Sequence, residues 1–380
     1  MKKYEDELGR IETWMKMSGI QNKEKQSSFG GVHAWYDQHN EKFTFLYSEI
    51  TGYAVTWYIS KYSFTKETIW LQKATHAANW LVEQALDQNN GGVLCRHDGD
   101  NWRKLICAFD NGMCLNGLCN IYQCTREEKY LLAAKKIGES LISNMQKSDG
   151  SFYSKFNLES NTICDPGGKW SLISGPFLIK LSIGLMNLAK ITNDTKFSDS
   201  AINLCQWGIK LQKDNGRFMT SPNANETFLH PHCYAAEGML CAGLILKNEE
   251  YINSAVKAVE WIASEQLDDG SFPAYYNNDG FSDETSPDMT AQVLRLWCMI
   301  PSSEKPNINP DAAIKSILQL QCVSSNVDAH GGIYAGDAWF VGNQNPAKIK
   351  RTHVNSWVSM FSSQAIAMYI YGNQNLYHLV

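Results

Sequence analysis

Apolar positions along the chain fall into two alternating kinds of helical stretch. One kind is amphipathic and ends in a fixed punctuation: Gln, then Asp, Asn or Gly, then Gly followed by a small residue or an aromatic. It reads NWLVEQALDQNNGGV at 79–93, SLISNMQKSDGSF at 140–152, WGIKLQKDNGRF at 207–218, WIASEQLDDGSF at 261–272 and ILQLQCVSSNVDAHGGI at 317–333, with a sixth copy at 14–36. The other kind is apolar around most of its circumference, at 48–62, 109–123, 170–190, 230–246, 286–300 and 352–372. An amphipathic helix lies outside and one apolar all round lies inside, so the pattern predicts six outer and six inner helices.

Taking Gly31, Gly92, Gly150, Gly216, Gly270 and Gly332 as anchors, the unit recurs every 54 to 66 residues. Glycine there suits a left-handed turn after a helix end. The chain opens on an outer helix near 4–20 and closes on an inner one near 353–371, so its two ends complete the last hairpin. That predicts an all-α fold, a closed (α/α)6 toroid occupying 1–380 as one domain, where an open solenoid needs polar capping repeats. Strand signals are weak: FTFLYS at 43–48 and FPAYYN at 272–277 are short and read as loops.

Composition adds a cavity to this picture. There are 12 Trp, 17 Tyr and 15 Phe against 19% charged residues, more flat side chains than a dry core needs. Net charge is −5 with no long basic run, so nucleic acid is not an expected partner. The charged start MKKYEDELGR and the lack of a long apolar window predict a cytoplasmic protein with no membrane span. The 11 cysteines are odd in number and scattered, with no C-x-x-C pair, and read as small buried hydrophobes.

In such a ring the heads of the inner helices converge on one cavity. Counting the repeat places Glu49, Asp110, Ser171 and His232 there at intervals of 61, then Asp288 and His353 after 56 and 65. Helix capping accounts for the carboxylates and the serine but poorly for histidines, since a positive charge is disfavoured at a helix N-terminus. It also leaves unexplained the aromatic company: Trp35, Tyr36 and Tyr53 near Glu49, Trp102 before Asp110, Trp170 beside Ser171, Tyr234 after His232, Tyr275 and Tyr276 before Asp288, and Trp339 and Trp357 around His353. Flat rings among carboxylates, Asn and His suit the C–H faces and hydroxyls of a sugar. Asn111 and His230 join the candidate binding residues.

The repeat, with its WL-x-x-Q-x-x-DGSF helix ends, resembles the six-hairpin glycosidase-like toroids, among them the unsaturated glucuronyl hydrolases and the N-acylglucosamine 2-epimerases. The segments AFDNGMCLNGL (108–118), HPHCYAAEGML (230–240) and SPDMTAQVLRLW (286–297) look like parts of uncharacterised toroids associated with polysaccharide and surface-glycan assembly. The resemblance implies a saccharide substrate and carboxylate acid/base chemistry of the hydrolase or hydratase type. Asp110 matches the first of two aspartates carried by the glucuronyl hydrolases on successive inner repeats; the second falls near Ser171, with Asp165 six residues earlier, so Glu49 and Asp288 are alternatives.

Three other chemistries compete: epimerisation with His232 and His353 as paired bases, a lyase with Tyr53 or Tyr234 as base, and the terpene cyclases and prenyltransferases that share the toroid. The last need a D-x-D-D stretch or a zinc set, and this chain offers only Asp268–Asp269 at a turn and the crowded His230, His232 and Cys233; no metal or other cofactor is expected. A non-catalytic glycan-binding protein would keep the aromatics and lack the proton-transfer groups. Arg96, Arg103, Lys169 and Arg351 near the loops make an acidic sugar a candidate substrate. Oligomeric state is not legible.

Overall fold

A computed structural model describes residues 2–24, 28–98, 101–336, 352–372 and 375–380. Twelve α-helices run through the described residues in alternating layers. The outer set is α1 (Glu5–Met17), α3 (Thr68–Trp80), α5 (Glu128–Ser140), α7 (Thr195–Ile209), α9 (Glu249–Ala263) and α11 (Pro310–Leu318). The inner set is α2 (Ser48–Thr65), α4 (Ala108–Thr125), α6 (Leu181–Thr192), α8 (Leu229–Leu246), α10 (Pro287–Met299) and α12 (Ser356–Tyr371). Each inner helix touches the next in turn, and α12 touches α2, so the inner ring closes. The third inner helix starts later than its apolar run: a 3-10 turn at Trp170–Leu172 and another at Pro176–Lys180 precede α6. Inner helices approach closely where glycines face backbone; a Cβ on Gly117 or Gly184 would meet the carbonyl of Gly52 or Gly112.

The repeated glutamine and glycine have a common task. Gln21, Gln146, Gln212, Gln266 and Gln321 each donate Nε2 to the carbonyl of the repeat's own glycine and to a carbonyl on the next outer helix or its cap: Lys73, Ser200, Ser254, Asn309 and Glu7. The last of these reaches α1, so the clasp that spaces the outer helices also shuts the ring. The glycines are Gly30, Gly91, Gly150, Gly216, Gly270 and Gly331, all at positive φ. In the three Gly–Gly repeats the left-handed residue is the first glycine, one before the anchor read from sequence. At all six a Cβ would fall within 3.0 Å of a backbone carbonyl group on the following outer helix. Gly216→Ala is therefore expected to lower stability by more than about 1 kcal/mol, read as a fall in thermal midpoint; an unchanged midpoint would remove the clasp from the account.

Four small antiparallel sheets sit where the loops enter the inner helices. The aromatic runs expected to be loops supply some of their strands, including Lys42–Phe43, Leu46–Tyr47 and Tyr275–Asn277. Among the described residues no helix is long and apolar enough to cross a membrane.

Candidate active site

The second residue of each inner helical segment is Glu49, Phe109, Phe177, His230, Asp288 or Trp357. All but Asp288 line a cavity of about 410 Å³ at the head of the ring, together with Asp110, the third residue of α4. The fourth residue faces away from it. Thr51, Asn111, His232 and Ser359 each accept a hydrogen bond from the backbone N–H of Val32, Val93, Phe218 or Ile333, at 2.7 to 3.1 Å. Two residues along a helix is a rotation of about 200°, so positions two and four point in opposite directions.

This register relocates several expected site residues. His232 is a buried clamp: Nδ1 accepts from Phe218 N, Nε2 donates to the Ala258 carbonyl at 3.0 Å, and burial pulls its pKa down to about 4. Asn111 is another, donating to the carbonyls of Val93 and Cys107. His353 lies in the strand His353–Asn355, before α12, with its ring stacked 5.2 Å from Trp35 and Nε2 3.9 Å from Asp37. It stands behind the lining layer, as does Trp35, whose ring meets Phe45 and Trp357. Tyr36 turns away to take a hydrogen bond from Asn326, and Tyr53 is buried below the floor beside Lys180 and Phe361. Trp170, Ser171, Tyr234 and Trp357 line the cavity; Trp339 and Arg351 lie outside the described residues. Asp165 is held by Lys147 and the Ser154 N–H.

Asp288 is fully buried and does not reach the cavity. Its Oδ2 stands 3.0 Å from His230 Nδ1 and its Oδ1 accepts from Ser286. A carboxylate beside Nδ1 favours the tautomer that carries its proton there, so Asp288 is placed to orient His230.

Glu49 and Asp110 form the other charged feature. Burial, and next the Glu49 charge, push the Asp110 carboxyl well above the usual range, while burial raises Glu49 against hydrogen bonds from Tyr47 and Asp110 and the fields of His230 and Lys180. Among the described residues no N–H or hydroxyl donor reaches Asp110 Oδ2. Both carboxyls are thus pushed toward their protonated forms by burial, Asp110 the more strongly because the Glu49 charge adds to it. The phenols of Tyr53 and Tyr234 are pushed well above 10 by burial, which unsuits them as bases.

Sequence reasoning missed Phe45, Tyr47, Cys95, Cys107 and Lys155, all on the strands and loops of the wall. Cys95, Cys107 and Asp110 present three donor atoms within 4.8 Å of one another, the one such group among the described residues. A cation there would also meet Lys155, which stands opposite Cys107 in the adjacent strand.

Residues 50–234 match a sequence family described as Glycosyl hydrolase family 76, a span that holds Asp110 and His230 and begins one residue after Glu49. No curated protein sequence matches the chain. Solved structures with the same fold include a cellobiose 2-epimerase from Bacillus thermoamylovorans (TM-score 0.76, 13% identity, covering 95% of this chain and 97% of that one). An unsaturated glucuronyl hydrolase from a Bacillus species superposes with a TM-score of 0.69 at 11% identity, covering 97% of each chain. A family 76 α-mannanase from Bacteroides thetaiotaomicron gives 0.53 at 13%, over 71% of this chain and 77% of its own. At such identities the likeness is one of fold.

Proposed function

We propose that this chain, which has the (α/α)6 toroid fold and matches Glycosyl hydrolase family 76 over residues 50–234, is a carbohydrate-active enzyme that binds a saccharide in the ring cavity and cleaves or hydrates it by acid/base chemistry. The observation that carries this reading is the buried Glu49–Asp110 carboxyl pair, both groups raised by burial, at the wall of an aromatic-lined cavity. Trp170, Tyr234 and Trp357 offer faces for sugar C–H groups. Both carboxyls line the same cavity, and Asp110, whose proton burial and the Glu49 charge retain, gives it to the leaving oxygen. The opposite role, activating water, falls to His230, held by Asp288. Arg96, Arg103, Lys155 and Lys169 also line the cavity. Arg96 and Arg103 share Asp98, whereas among the described residues no carboxylate pairs with Lys155 or Lys169, which favours an acidic sugar.

The test is turnover of a panel of neutral and uronate-containing oligosaccharides in water enriched in heavy oxygen and, separately, in deuterium. Heavy oxygen entering the product supports hydrolysis or hydration. Deuterium entering a carbon-bound position without bond cleavage would replace it with epimerisation, for which the His230–Asp288 pair is the base.

Two further results are expected. His230→Asn lowers turnover about a hundredfold or more, while His232→Asn lowers the thermal midpoint and leaves turnover within a few-fold; equal rate losses would return His232 to the site. Glu49→Gln moves the alkaline limb of the pH–rate profile to lower pH. The Glu49 charge raises the Asp110 pKa, so its removal lets Asp110 lose its proton earlier; a limb that stays put or moves upward contradicts the coupling of the two carboxyls.

A further inference from the structure

The acid/base scheme has no use for two thiols in the cavity wall. Cys95 and Cys107 stand on antiparallel segments joined by the Leu94–Ile106 bridge and by donation from Cys95 N to the Leu105 carbonyl at 2.8 Å. That register puts both side chains on the same face as diagonal neighbours, so a bond between them draws the two segments together. Their Sγ atoms lie within 4.8 Å of each other and of an Asp110 oxygen, and both residues line the cavity. Among the described residues no other cysteine does.

Their surroundings divide the labour between them. The Cys107 S–H, then Lys155, Arg103 and Arg96, lower the Cys95 thiol against its burial, whereas Cys107 is held protonated well above the usual thiol range. A thiol more easily ionised than usual beside one that keeps its proton is the arrangement from which thiol oxidation proceeds.

We propose that Cys95 and Cys107 form a peroxide-reactive dithiol that closes to a disulfide in the cavity wall. The Cys95 thiol gives up its proton and its sulfur attacks one peroxide oxygen, breaking the O–O bond and forming S–OH, while the proton goes to the departing oxygen, releasing an alcohol, or water from hydrogen peroxide. Cys107 then gives up its proton and attacks the Cys95 sulfur, forming S–S and expelling the hydroxyl as water. Two thiols are oxidised by two electrons and one peroxide is reduced. The Cys107 carbonyl accepts from Asn111 Nδ2 at 2.9 Å, at the head of the helix that carries Asp110. The new bond therefore straps the segment that positions the proton donor.

The test uses the reduced full-length protein, hydrogen peroxide, and alkylation followed by peptide mass spectrometry. The expected result is loss of two alkylatable thiols, mapped to Cys95 and Cys107 and restored by dithiothreitol. Cys107→Ser should accumulate a dimedone-reactive sulfenic acid at Cys95, and Cys95→Ser should slow peroxide consumption by about tenfold or more. Oxidation that begins at exposed Cys124 with both wall thiols intact would overturn the proposal, as would a stoichiometric zinc content that shields them. No sugar enters these measurements, so failure of the carbohydrate reading leaves this result standing, and the reverse.

Discussion

Asp110→Asn will lower turnover by about two to four orders of magnitude and raise stability at neutral pH. The rate follows from the role: Asn keeps the shape and has no proton to deliver. The stability gain follows from linkage. Unfolded, the carboxyl titrates near about 3.9; folded, burial and the Glu49 charge raise it well above that. Within this window the folded chain binds the extra proton, so stability falls as pH rises from the unfolded value through the folded one. Each unit of that shift costs about 1.4 kcal/mol, which Asn does not incur. Initial rates on the identified sugar and thermal melts at acidic and neutral pH check both halves. A lowered midpoint with undiminished rate would make Asp110 a helix cap, worth about 1 kcal/mol.

Removal of Glu237 will have the largest effect on stability, about 3–5 kcal/mol for Glu237→Ala. Its carboxylate is fully buried below the cavity floor and holds two cations, Lys180 at 2.8 Å and Arg295 at 2.5 Å. Both cations also donate to the Val380 carbonyl oxygen, and Arg295 donates to Gln364. Tyr53, Tyr234 and Phe361 face the Lys180 ammonium with their rings. Without Glu237 the two charges stand uncompensated. Lys180, already pulled down to about 8 by burial, can shed its proton; Arg295 cannot. Denaturant unfolding measures the cost, and a change below about 1 kcal/mol would show that the rings and carbonyls suffice.

The repeat carried a great deal in plain sight. Each hairpin must bury one face against its neighbours, which imposes apolar periodicity, and each outer helix must stop at the same turn, which imposes Gln and a left-handed glycine. Those demands are local and recur around the ring, the glycine six times and the glutamine five, so the alternation of outer and inner helices and the closure of the ring are legible without coordinates. Aromatic excess at the inner-helix heads likewise pointed to a lined cavity.

Which side chain enters that cavity is a different matter. The count by 61 reached Glu49 and Asp110 but landed on His232 rather than His230, because the loops differ in length and the third inner segment begins at Pro176. An error of two residues is small against a repeat of sixty, yet on a helix it turns the side chain to the opposite side. The pairing of Asp288 with His230, the meeting of Cys95 with Cys107, and the joining of Lys180, Glu237, Arg295 and Val380 under the floor all unite residues from different hairpins or strands. Sequence determined the ring, because its rules act within one repeat; tertiary structure alone decided the site, because charge, burial and direction are set by neighbours far away along the chain.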